Sequence, residues 1–111
     1  MAIIEIGRAA DMAPGSAMRI DVGELPIAIF NRDGALFAIG DTCSHEEYSL
    51  ADGEVGDDCT VECALHGARF DLRTGAALSL PAVLPVGSFA VWVEDGIIKL
   101  EVPEALADSV A

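Results

Sequence analysis

Apolar and polar residues alternate in short bursts along this chain: IIEI (3–6), AMRIDV (17–22), PIAIFN (26–31), ALFAIG (35–40), CTVEC (59–63), ARFDL (68–72), FAVWVE (89–94) and GIIKLEV (96–102). Each burst is too short for an ordinary helix, and turn-forming residues separate them, the cadence of an all-β domain. The last two bursts are joined by Asp95-Gly96, where glycine supplies the positive φ that a tight hairpin requires. A second hairpin is predicted at Asp33-Gly34. Helical periodicity is nearly absent, limited to a short turn at Ala9 to Met12 and a frayed tail from Pro103 to Ala111. The stretch from Asp41 to Gly56 breaks the alternation and reads as a long structureless excursion, a kind of segment that small domains retain for function.

Length and composition narrow the class. The chain has 111 residues, enough for a single domain spanning 1–111 with its own core and too few for two. Apolar residues make up 52% of it, yet no run approaches the ~18 consecutive apolar residues that cross a bilayer. The N-terminal residues include Glu5 and no basic stretch leading into an apolar segment, so a soluble, cytoplasmic protein is expected. Nineteen acidic against six basic side chains leave a formal charge of −13, which argues against nucleic-acid binding, since phosphate contacts need clustered Lys and Arg. The same charge either keeps an alanine-rich chain in solution or steers it to a partner with a basic patch.

Three cysteines are an odd count for a disulfide framework and fit metal ligation better. Cys43-Ser44-His45 and Cys63-Ala64-Leu65-His66 bring both histidines of the chain within three residues of a cysteine, with 17 residues (46–62) between the pairs. A catalytic Cys/His dyad would use one pair and leave the other idle, and no Asn or Asp is evident to orient either. Two thiolates and two imidazoles could complete a structural zinc tetrahedron, making a zinc-stabilised interaction module the alternative from another class. Its weakness is the single residue between Cys43 and His45, a poor bite for one ion. The spacing suits two irons instead, each loop giving one ligand to each metal.

With CxH, 17 residues, then CxxH followed by Gly67, the chain resembles the Rieske family. Its acidic character, HGARFDLRTG from His66 to Gly75, Leu80-Pro81-Ala82 and the terminal hairpin are similar to ferredoxin components of bacterial aromatic-ring dioxygenase systems. The resemblance implies a Rieske-like antiparallel β-sandwich with an inserted cluster-binding subdomain at about 41–72 and a Pro81 loop over the cluster. It implies one [2Fe-2S] cluster bound by Cys43, His45, Cys63 and His66, thiolates on one iron and imidazoles on the other, with electrons passing at the histidine end. The implied partners are a flavin-containing ferredoxin reductase and a terminal Rieske non-haem iron oxygenase. The chain itself, expected as a monomer, is no enzyme, having no dinucleotide fingerprint and no room for a flavin domain. The same type of centre could also serve a nitrite reductase or iron–sulfur assembly.

Departures from the family pattern refine the expectation. Tyr48 and Leu65 stand where respiratory relatives carry a disulfide, and Gly67-Ala68 replaces the hydroxyl residue that hydrogen-bonds a cluster sulfur in high-potential members. Both this loss and the negative charge predict a potential toward the lower end of the roughly −150 to +300 mV Rieske range. Ala64 stands where many relatives have proline, which loosens the loop without removing a ligand. Cys59 shares strand parity with Val61 and Cys63 and reads as a small buried thiol. Glu46, Glu47, Asp57 and Asp58 are candidates for a docking face, or simply solvated charges; Arg69 and Arg73 could offset local charge, and Phe89 and Trp92 read as ordinary strand residues.

Overall fold

A computed structural model describes residues 2–22, 25–41, 49–56, 59–63, 68–78 and 86–102. Ten strands are seen among them: β1 (Ala2–Arg8), β2 (Ala17–Val22), β3 (Leu25–Arg32), β4 (Ala35–Gly40), β5 (Glu54–Val55), β6 (Thr60–Glu62), β7 (Arg69–Asp71), β8 (Ser88–Phe89), β9 (Val91–Glu94) and β10 (Ile97–Val102). They form three antiparallel sheets, ordered β1-β10-β9, β2-β3-β4-β8 and β5-β6-β7. The all-β class expected from the alternation is present, in the antiparallel sheets that the family resemblance implies.

Both predicted hairpins close as the sequence demands. Asp33 and Gly34 have φ of 53° and 93°, and Asp95 and Gly96 of 54° and 77°, the doubly left-handed pair of a type I′ turn. The short turn after β1 is a 3₁₀ turn at Ala9–Asp11. The proposed frayed tail, from Pro103 onward, lies outside the described residues.

What organises the sheets is β3. Its run Ile27-Ala28-Ile29-Phe30-Asn31 is buried without a break, so both faces of this strand are covered. Ile27 and Ile29 join Met12, Val22, Ala38, Ile98, Leu100 and Val102 in one core. Ala28 and Phe30 point the other way, with Ile39, into a second core of Leu50, Val61, Cys63, Ala68, Phe70 and Leu72. The middle sheet thus separates a base built on β10 from a smaller layer built on β6 and β7. Asn31, polar at the end of that run, is satisfied: its Nδ2 donates to the Met12 carbonyl at 2.7 Å and its Oδ1 accepts from the Gly34 N–H at 2.9 Å.

The excursion from Asp41 to Gly56 is a correction. Its second half is ordered into a 3₁₀ turn at Leu50–Asp52 and the strand β5, which pairs with β6 as Glu54↔Glu62 and Val55↔Val61. One apolar residue, Leu50, fixes it, being fully buried. Gly53 permits the close approach, since a Cβ there would overlap the Glu62 carbonyl oxygen.

Candidate metal centre

Three stretches outside the described residues, 42–48 (the first loop), 64–67 (the second) and 79–85 (the third), are flanked by residues that hydrogen-bond to one another. The first is rooted at Asp41, whose N–H donates to the Pro26 carbonyl at 3.0 Å and whose own carbonyl accepts from the Leu50 N–H at 2.6 Å. The Asp41 side chain adds to this closure: Oδ1 accepts from Ser49 Oγ at 2.8 Å and from the Ala51 N–H at 2.9 Å. One carboxylate oxygen therefore bridges the two stems of the first loop.

The second loop joins β6 to β7, and its stems meet where the Cys63 N–H donates to the Ala68 carbonyl at 2.7 Å. The third is closed by the Leu78 N–H donating to Arg69 at 2.8 Å and the Val86 N–H donating to Gly75 at 2.8 Å. Gly75 has a φ of 79°, and a Cβ there would overlap the Val86 carbonyl oxygen, so both the turn and the contact demand glycine. The roots are also bonded to one another. The Gly40 N–H donates to the Gly87 carbonyl at 2.7 Å, tying the first loop to the third, and the Arg69–Leu78 bond ties the second to the third.

Of the proposed ligands, Cys63 is described: it closes β6 at 1% exposure within the core that holds Leu50, Val61 and Phe70. Cys43, His45 and His66 lie outside the described residues, as do Ala64, Tyr48, Leu65, Gly67, Pro81, Glu46, Glu47, Asp57 and Asp58. A buried thiol at a loop stem, walled by aliphatic and aromatic side chains, suits a soft, dry metal centre and fits the Cys/His donor set of the two motifs. Ala68, fully buried next to the second stem, carries a methyl group and no hydroxyl.

Cys59 departs from the expected strand. Its φ of 62° is left-handed, and β6 begins only at Thr60, so parity with Cys63 does not extend to it. Its carbonyl accepts from the Leu72 N–H at 3.0 Å, and its half-buried side chain packs on the same core as Cys63. Nearby, Asp71 is held below the ordinary carboxylate range, chiefly by the Arg73 backbone N–H at 2.7 Å, against partial burial, which pushes it up. The Arg73 side chain adds a contact at 3.4 Å, and Asp71 in turn raises Arg73. Arg69 donates to Thr60 Oγ1 at 3.2 Å. Phe89 packs on the base core as a strand residue.

The fold defines an all-β protein whose smaller layer carries a buried thiol, Cys63, at the end of β6. A Rieske [2Fe-2S] domain model matches residues 2–90. The 3-phenylpropionate/cinnamic acid dioxygenase ferredoxin subunit of Escherichia coli (strain K12) is 49% identical over 96 residues, 86% of this chain and 90% of that protein. Among solved structures, the ferredoxin of carbazole 1,9a-dioxygenase from Nocardioides aromaticivorans IC177 superposes with a TM-score of 0.84 at 32% identity, covering 90% of this chain and 97% of that one. A chain of the complex of reduced oxygenase and oxidized ferredoxin in carbazole 1,9a-dioxygenase gives a TM-score of 0.81 at 34% identity, covering 88% and 91%. The chain belongs to the Rieske [2Fe-2S] domain family.

Proposed function

We propose that this chain is the ferredoxin component of an aromatic-ring-hydroxylating dioxygenase system, taking one electron at a time from a flavin-containing NAD(P)H reductase to a terminal Rieske non-haem iron oxygenase. The observation that carries this reading is the 49% identity to a dioxygenase ferredoxin subunit across 86% of the chain. The chain is an electron-transfer component and acts on no organic substrate itself. It works as one domain over 1–111, with a cluster-binding subdomain at about 41–72, as a monomer in the cytoplasm; among the described residues no helix is long and apolar enough to cross a membrane.

In this reading Cys43 and Cys63 bind one iron and His45 and His66 the other of a single [2Fe-2S] cluster. When bound, the cluster supplies one reversible one-electron step, centred on the histidine-ligated iron. The polypeptide does the rest. Cys63, anchored in the core, fixes the sulfur end; the bonds among Asp41, Ser49 and Ala51 close the first loop's stems, Gly40–Gly87 ties them to the third, and Leu78–Arg69 ties the third to the second. A rigid frame of this kind keeps the geometry of the two oxidation states close together, which favours fast transfer. The excess of acidic side chains draws the protein to basic partner surfaces and lets it leave again, as a shuttle must.

Purified protein tests the assignment. Chemical analysis should find equal iron and acid-labile sulfide, two of each per chain, and His45→Ala or Cys63→Ser should abolish assembly. Cys59→Ser should keep the visible spectrum; bleaching there would overturn the ligand set. A colourless, zinc-containing product without sulfide would favour the interaction module.

A further inference from the structure

Outside the ligands, the most constrained charged group described is Asp41. It is 1% exposed, two residues before Cys43 and directly at the stem of the first loop. Its Oδ1 is saturated by Ser49 and Ala51. Its Oδ2 is buried and, among the described residues, accepts no hydrogen bond. The cation facing it is Arg19 of β2, whose Nε lies 3.6 Å from Oδ2, beyond hydrogen-bond reach but well within coulombic contact. Arg19 is shared, because the same Nε is 3.3 Å from Oδ1 of the exposed Asp21, and its side chain is 51% exposed. Among the described residues, the buried carboxylate is thus compensated in part, by a solvated and divided partner.

Loop closure alone would not need this arrangement. Both closing bonds go to one oxygen, and an asparagine carbonyl could accept them equally well. A buried charge left poorly paired is costly, and it is tolerated where its field does something. Two residues of extended chain span at most ~7 Å between Cα atoms, so Asp41 cannot be far from the Cys43 end of the site. Across protein of low effective dielectric, charges at such separations interact strongly, whereas the half-exposed arginine is screened by water and salt.

We propose that Asp41 and Arg19 are a potential-setting pair: the buried carboxylate holds the reduction potential of the centre down, and the arginine sets by how much. The inference rests on the Cys43 and His45 ligation proposed above. Reduction adds negative charge to the centre, so removing the negative Asp41 favours the reduced state and removing the positive Arg19 disfavours it.

The test is the midpoint potential of purified holoprotein, with EPR of each reduced variant as a check on the centre. Asp41→Asn keeps both Oδ1 bonds and should shift the midpoint upward with the spectrum intact. Arg19→Gln should shift it downward by a smaller amount that shrinks as salt is raised, and the double variant should fall between the two. Potentials of both variants equal to that of the unsubstituted protein would overturn the proposal and leave Asp41 a structural clamp. If Asp41→Asn fails to assemble, Arg19→Gln decides alone: a downward shift supports the pair, no shift refutes it. Failure of the unsubstituted protein to hold any cluster would instead strike the ligand reading itself.

Discussion

Leu50 shows how much can rest on one side chain. It is the apolar residue that draws the end of the first loop into the core, and it is wholly buried against Val61 and Phe70. Leu50→Ala should cost roughly 2–5 kcal/mol, read from denaturant unfolding, and should release cluster faster than a comparable truncation in the base core, such as Ile98→Ala. Gly75→Ala places a methyl group on the Val86 carbonyl in a left-handed conformation, so a lowered melting temperature and rapid bleaching are expected together. Asp71 contributes a pH term. Its folded pKa lies below the unfolded value, so its stabilisation is complete above the unfolded pKa and is lost as pH falls through the depressed one. Asp71→Asn should therefore flatten the acid limb of the stability curve below about pH 4 and leave the neutral region's slope unchanged. At this scale the two Cys/His pairs stand out in the sequence by residue type and spacing, and of their four members Cys63 is the one among the described residues. Asp41 does not stand out, since an aspartate entering an acidic loop looks like any other until its burial is known. Cys59 misled for a related reason: parity assumes extended backbone, and a φ of 62° ends that assumption one residue before β6.

At the level of elements, strands with alternating faces were easy to place. β2, for example, covers the segment that the pattern marks, Ala17–Val22, and β4 covers Ala35–Gly40. Both type I′ turns follow from Asp-Gly pairs. β5 and the 3₁₀ turn before it were not legible, because two-residue and three-residue elements carry no period; pairing to β6 and the burial of Leu50 create them. β3 is the informative case. A run of apolar residues without alternation identifies a strand but does not say what covers its second face. Here Ile27 and Ile29 support the base while Ala28 and Phe30 support the smaller layer of β6 and β7. Phe30→Ala should consequently loosen that smaller layer, seen as faster amide exchange in β6 and β7, while Ile29→Ala should show first in β10.

For the whole molecule, charge dominates behaviour. A formal −13 on 111 residues surrounds the site with negative potential and disfavours adding an electron. With Ala68 offering no hydroxyl to a sulfur, a midpoint toward the bottom of the roughly −150 to +300 mV Rieske span is expected by voltammetry, and a clearly positive value would contradict it. Association with an oxygenase or reductase should slow steeply as salt is raised from low ionic strength, because exposed charges act over a Debye length of only ~10 Å at 0.1 M. The fold class could be read from pattern alone. The three-layer order could not, because it depends on which strands share β3.

The central claim is that one binuclear iron–sulfur centre is bound by thiolates at one iron and imidazoles at the other. Electron–nuclear double resonance on the dithionite-reduced protein tests it most directly. The account predicts hyperfine couplings from two metal-bound imidazole nitrogens; a reduced centre showing none, or a protein with no paramagnetic signal after anaerobic reconstitution, would contradict it.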